Sequence, residues 1–161
     1  MLITDLIQSS PSTLITVRPD TNVREAAQLL SKNHIGLLLV LGDSDELTGV
    51  ISERDIIGAM GSSDTNIDHV SVDELMTDSV ITVSSQDSLV NAVTAMNQHG
   101  IRHLVVMEDD IPAGVISILD VLRAFAEDVM NNGGVTDNQA NRAFISALAA
   151  YQIAGRLSIQ V

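Results

Sequence analysis

The feature that most constrains this chain is that it repeats itself. Ile15-Thr16-Val17 recurs 66 residues later as Ile81-Thr82-Val83, and at that spacing Ala26 answers Ala92, Ile35 answers Ile101, Leu38 answers Leu104 and Val40 answers Val106. Further on, Gly49-Val50-Ile51-Ser52-x-x-Asp55 recurs as Gly114-Val115-Ile116-Ser117-x-x-Asp120, one residue closer because the second hairpin loop is shorter. Upstream, Asp5-Leu6-Ile7 resembles Glu74-Leu75-Met76. A self-similar period of this length means one supersecondary unit used twice, each copy burying what the other cannot.

Both copies read alike. Pro19 disfavours helix at Arg18, and Asp20, Thr21 and Asn22 are all candidate N-caps. Val23, Ala26, Ala27 and Leu30 then fall on one helical stripe, as do Leu89, Ala92, Val93 and Met96. Asn33 and His99-Gly100 suit the helix ends. The apolar runs Leu37–Leu41 and His103–Met107 predict buried strands. Acidic turns (Gly42-Asp43-Ser44-Asp45 and Glu108-Asp109-Asp110) lead to second strands, Leu47–Ile51 and Ala113–Ile116. A helix starting near Glu53 carries Ile56, Ile57 and Met60; its counterpart carries Val121, Leu122 and Phe125. The pattern predicts an α+β fold of two β-α-β-β-α units: repeat 1 over residues 1–62, repeat 2 over 63–130, and a linker with a C-terminal helical tail over 131–161. Gly61–Ser71 reads as a polar linker and Asn131–Asn138 as a second break, with one more helix over roughly 138–154.

Composition removes whole classes of function. With 8 Lys+Arg against 21 Asp+Glu the formal charge is −13, a surface that repels nucleic-acid backbones. The aromatics are Phe125, Phe144 and Tyr151, too few to stack a run of bases. The absence of cysteine excludes disulfides, thiolate metal sites and cysteine nucleophiles. No phosphate-binding loop with its Lys-Ser/Thr and no Gly-x-Ser-x-Gly elbow occurs, so no enzyme activity is expected. His34, His69, His99 and His103 lack metal-ligand spacing, and His34 and His99 are expected at helix ends. The start, MLITDLIQSS, lacks the basic and apolar regions of a signal peptide, and the longest uninterrupted apolar run near the C-terminus, Ala147–Tyr151, is far too short to span a bilayer. A cytoplasmic protein without membrane or nucleic-acid partners is the expectation.

The two Gly-x-x-Ser-x-x-Asp segments, each at a strand-to-helix junction, together with Leu75-Met76 before Ile81-Thr82-Val83, resemble the cystathionine-β-synthase-type (CBS) domain family. Residues 1–130 match a tandem pair, often called a Bateman module; 131–161 lie outside the resemblance. The resemblance implies repeats packed as a pseudo-twofold pair with two clefts that sense adenosine nucleotides. It implies that Asp55 and Asp120 hold ribose hydroxyls, and that Ser52 and Ser117 support the ribose or phosphate.

Chemistry supports that role and also offers a plainer one. A carboxylate accepts two hydrogen bonds and can hold a cis-diol, and a helix N-terminus favours anions. Ser-x-x-Asp can equally be an N-cap with a first-turn acid. Against a charge of −13, phosphate needs local cations or an accompanying magnesium ion. Arg54 lies inside the first motif, where the second has Leu119; Arg102 and His103 open a strand where the first copy has Gly36 and Leu37. The two sites are therefore expected to differ, with Arg102 and His103 near the pseudo-twofold axis, where they could serve either cleft. By resemblance, Thr13-Leu14-Ile15 and Ser79-Val80-Ile81 line the adenine slot, though Ile15 and Ile81 also read as ordinary strand core. The expected ligand is AMP, ADP or ATP, alone or with Mg; the alternative is an association module whose clefts stay empty. The resemblance further implies a homodimer signalling to another protein. Separately, the apolar residues of the tail (Phe144, Ile145, Leu148, Tyr151 and Ile153) predict that residues 138–154 cover the partner or brace the assembly, the alternative being that they fold back on their own module.

Overall fold

A computed structural model describes residues 1–9, 14–62, 66–131 and 139–153. The order of elements is α1 (Ile3–Ser9), β1 (Thr16–Val17), α2 (Val23–Asn33), β2 (Leu37–Leu41), β3 (Leu47–Ser52), α3 (Glu53–Gly61), β4 (Thr82–Ser84), α4 (Leu89–His99), β5 (His103–Glu108), β6 (Ile111–Ser117), α5 (Ile118–Asn131) and α6 (Gln139–Ile153), with 3-10 turns at Ile67–His69 and Val72–Glu74. The mixed α+β class and the twofold β-α-β-β-α pattern read from the repeat are what the structure has. Two three-stranded sheets, β1-β2-β3 and β4-β5-β6, each pair the first strand parallel and the third antiparallel to the middle one.

Local chemistry sets the boundaries. Of the three candidate caps, Asn22 is the one used, its side chain accepting from the Arg24 N–H at 2.8 Å. Helix α2 ends at His34, which takes the left-handed conformation (φ 54°) rather than leaving that place to glycine; in α4 Gly100 holds it (φ 74°). Asp109 and Asp110 also have positive φ, which lets a tight turn join β5 to β6 and extends both strands beyond the sequence expectation. The apolar stripes face inward: Val23, Ala26 and Leu30 are buried in one core, and Leu89, Ala92, Val93 and Met96 in another.

The chain forms two compact units, Thr13–Val80 and Met1–Ser12 with Ile81–Val161. The repeats are units of sequence, and the compact units cut across them at the leading segments. Helix α1 belongs with the second repeat: the Ile3 and Thr4 N–H groups donate to the Asp87 and Ser85 carbonyls at 2.9 and 2.8 Å. Ile7 lies over Gly114, where a Cβ would stand 3.3 Å from it. The matching segment of the second repeat is a 3-10 turn, and it serves the first repeat in the same way. Val72 N–H donates to the Thr21 carbonyl at 2.8 Å and Val50 pairs with Thr77. Met76 sits so close to Gly49 that an added Cβ would meet its sulfur at 2.6 Å. The glycine that opens each repeated motif is thus kept small by the leading segment that covers it.

Part of the expected Gly61–Ser71 linker is built structure. Residues 63–65 lie outside the described set, but Ile67 and Val70 pack on the first core, and Asp68 accepts from Arg24. The expected 131–138 break also falls almost wholly outside the described residues.

The tail helix has a place on its own unit. Helix α6 packs on α4 of its own unit. Phe144 and Tyr151 are buried in the second core, and the Phe144 ring stacks on Phe125 with centroids 4.1 Å apart. A helix of this length is marginal alone in water. It is held here by burial, and Phe144→Ala should cost about 3–5 kcal/mol.

Candidate nucleotide site

Each motif closes a capping box. Ser52 ends β3, and its side-chain oxygen accepts from the Asp55 N–H at 3.4 Å. In return its N–H and hydroxyl both donate to Asp55 Oδ2, at 2.7 and 2.6 Å. The second copy has the same arrangement. Ser117 N–H and Oγ–H donate to Asp120 Oδ2 at 2.8 and 2.6 Å, and Asp120 N–H donates to Ser117 Oγ at 3.2 Å. The plain capping role is therefore present in both copies. It uses only one carboxylate oxygen: Oδ1 of each aspartate takes no part in these bonds. Both aspartates are half-buried. Each offers a carboxylate already fixed in direction, with an oxygen to spare for a donor pair such as a cis-diol.

Within each sheet, the strand that leaves the long helix starts beside the motif serine. In the first, β1 and β2 begin where β3 finishes, with Leu37 opposite Ser52. In the second, His103 lies opposite Ser117. The Glu53 N–H donates to the Gly36 carbonyl at 3.2 Å, and the Ile118 N–H donates to the Arg102 carbonyl at 2.9 Å. The backbone frames match and the charges do not. Where the first frame carries Gly36 and Leu37, the second carries Arg102 and His103, both half-buried.

Arg54 is exposed on α3, one residue before Asp55. Among the described residues neither Arg54 nor Arg102 forms an ion pair. Ile15 and Ile81 are half-buried against their own cores, and the Ile15 carbonyl accepts from Leu39 at 3.4 Å. Ser79 is exposed and donates to Asp78 at 3.1 Å. It belongs to the first compact unit while Ile81 belongs to the second. Thr13 lies outside the described residues.

One cation escaped the sequence reasoning. Arg123 stands one turn beyond Asp120, with Nη1 4.0 Å from the spare oxygen Oδ1. The first copy has Gly58 at that place. The signal was available as an acid and a base three residues apart on a predicted helix.

The sequence profile of the CBS domain matches residues 4–62 and again 72–127. The chain belongs to the CBS domain family. As a CBS pair it is 32% identical over 111 residues to a 33.4 kDa protein in the ribosomal RNA operon of Thermofilum pendens, which covers 68% of this chain and 36% of that relative. The chain thus spans about a third of that protein's length. A putative signal-transduction protein with CBS domains from Burkholderia ambifaria superposes with a TM-score of 0.75 at 28% identity, covering 80% of this chain and 96% of that one. The CBS domain protein PAE2072 from Pyrobaculum aerophilum, solved in complex with AMP, gives a TM-score of 0.68 at 27% identity, over 79% and 99% of the two chains. Among the described residues of this CBS pair, no helix is long and apolar enough to cross a membrane.

Proposed function

We propose that this CBS pair is a regulatory module that binds an adenosine nucleotide and signals its presence to a partner protein, without catalytic turnover. The observation that carries the reading is the spare Oδ1 of a carboxylate that a capping box already holds in place, present in both copies. The AMP held by the Pyrobaculum relative supports a ribose-bearing ligand of this kind. Charge ranks the sites. The second motif has Arg102, His103 and Arg123 on its own unit, while the first has the exposed Arg54. A phosphate is favoured at the second, and the first is the weaker site. With a net charge of −13, a single phosphate is better tolerated than three, so AMP ranks above ADP and ATP unless magnesium accompanies them.

The test is calorimetry and thermal shift with AMP, ADP, ATP, S-adenosylmethionine and NAD, with and without magnesium, on wild type, Asp55→Ala and Asp120→Ala. Losing a charged hydrogen-bond acceptor costs about 1.5–3 kcal/mol, a tenfold to hundredfold weakening. Two equal independent sites would refute the ranking. If both variants bind every ligand as wild type does, the ribose assignment is wrong.

A second reading, association through helices, has its own observation. Ile57 and Met60 on α3 are 67% and 60% exposed, and Leu119 and Met130 on α5 are 64% and 81% exposed. Exposed apolar residues on helices fit a homodimer. That assembly is compatible with nucleotide binding; it becomes the sole function only if no adenosine ligand shifts the melting temperature.

A further inference from the structure

Among the described residues, the segment that carries Arg102 and His103 has an anchor from a distant helix that its counterpart lacks. In both copies the turn after the long helix shares two backbone holds beyond its helix cap. In the first, Ile35 N–H donates to the Leu30 carbonyl at 3.1 Å, and the Gly36 carbonyl accepts from Glu53 at 3.2 Å. In the second, Ile101 N–H donates to the Met96 carbonyl at 3.0 Å, and the Arg102 carbonyl accepts from Ile118 at 2.9 Å. Among the described residues the second is also held from outside its repeat, by the Tyr151 hydroxyl, which donates to the Ile101 carbonyl at 3.4 Å. Tyr151 is fully buried, and it comes from α6, beyond both stretches that match the CBS domain. Helix α6 docks on α4, whose last turn leads into this segment, and its other end is fastened by the Phe144–Phe125 stack. The added helix therefore clamps the one copy whose turn bears a basic pair.

We infer that Tyr151 is a positioning residue for phosphate recognition, acting through Ile101 on Arg102 and His103. Docking of α6 and binding of a phosphate-bearing ligand at the second motif are then coupled. This rests on the nucleotide reading above. The physical argument is one of preorganisation. Two adjacent residues converge on a phosphate only if the backbone between α4 and β5 is held still, and each immobilised group left to order on binding subtracts from affinity. Coupling between binding equilibria is reciprocal, so a ligand that needs the segment in place must in turn stabilise α6. The ribose contact at Asp120 lies on a different element and is not expected to depend on Tyr151.

The experiment compares AMP with adenosine, two ligands that share the ribose and base and differ in the phosphate. The 161-residue wild type, Tyr151→Phe and Phe144→Leu are titrated by calorimetry with each. Tyr151→Phe keeps the packed ring and removes the hydroxyl; Phe144→Leu loosens the far end of α6 and leaves the hydroxyl. The expected result is a preference for AMP in wild type that falls about two- to tenfold in Tyr151→Phe, the range of one neutral hydrogen bond. Adenosine affinity should stay within twofold of wild type (about 0.4 kcal/mol). A purely structural role would lower melting temperature and weaken both ligands together. Phe144→Leu should move the preference the same way, and it decides the matter if Tyr151→Phe does not fold. Tyr151 is the single tyrosine of a chain without tryptophan, so its emission is a direct second readout. It should change on saturation with AMP and not with adenosine. A wild type that binds AMP over adenosine, with that preference unchanged in both variants, overturns this inference alone. Equal binding of AMP and adenosine by wild type overturns it too, while the ribose assignment stands. Binding of neither overturns the nucleotide reading as well.

Discussion

Asp120→Glu separates the two duties of the motif aspartate. As a cap, Asp120 accepts from Ser117 N–H at 2.8 Å and from Ser117 Oγ–H at 2.6 Å. Glutamate at this position is the commoner partner in a Ser-x-x-Glu capping box, so the helix start tolerates it. As a ligand for a ribose, the spare oxygen must stand at one place, and an added methylene moves the carboxylate by about 1.5 Å. That displacement turns two short charge-assisted bonds into poor ones. The cost is about 1.5–3 kcal/mol, or roughly tenfold to hundredfold in affinity. Stability should change by no more than about 0.5 kcal/mol, a shift of only one or two degrees at about 2–4 °C per kcal/mol for a chain of this size. Asp120→Ala loses both duties: it should weaken binding and also lose about 0.5–2 kcal/mol of stability with the cap. The assay is AMP calorimetry beside a thermal melt for each variant. If Asp120→Glu melts and binds AMP as wild type does, the carboxylate is a cap and nothing more.

Gly49→Ala should cost about 1–3 kcal/mol in urea unfolding, because its Cβ would meet the Met76 sulfur at 2.6 Å and the Thr77 carbonyl oxygen at 3.0 Å. Gly114→Ala should cost less, since its nearest neighbour is the flexible Ile7 Cδ1 at 3.3 Å; equal losses would show that the leading segments do not press on these glycines. The Arg24 hydrogen bond holds the Asp68 carboxyl below its ordinary value. Its contribution to stability is present above the unfolded carboxylate range and is lost as pH falls through the lowered value. Asp68→Asn should therefore shrink stability at neutral pH and leave the strongly acid limb unchanged, as read from urea midpoints across pH. The 161-residue chain should sediment as a dimer and Ile57→Glu as a monomer; a monomeric wild type at high micromolar concentration would sink the homodimer.

Much of this architecture follows from the chain read alone, because its signals are local. Apolar spacing decides which face of α2 or α4 is inward, and it needs no knowledge of what lies opposite. Ser52-x-x-Asp55 and Ser117-x-x-Asp120 mark helix starts whatever packs nearby, since a cap is satisfied within four residues. The repeat itself is legible because both copies solve the same folding problem with the same spacing. Strand ends were less legible: β6 begins at Ile111 because Asp109 and Asp110 adopt positive φ, a choice made by pairing with β5 rather than by composition. What only the tertiary structure decides is partnership between distant segments. No pattern in Asp5-Leu6-Ile7 says that it covers Gly114 rather than Gly49, and nothing local in Phe144 or Tyr151 says that α6 folds onto its own α4. The apolar face of α6 states that it must be buried, and several surfaces would satisfy that demand equally. Which surface does so depends on shape and on a few bonds with partners far along the chain, such as Tyr151 to the Ile101 carbonyl.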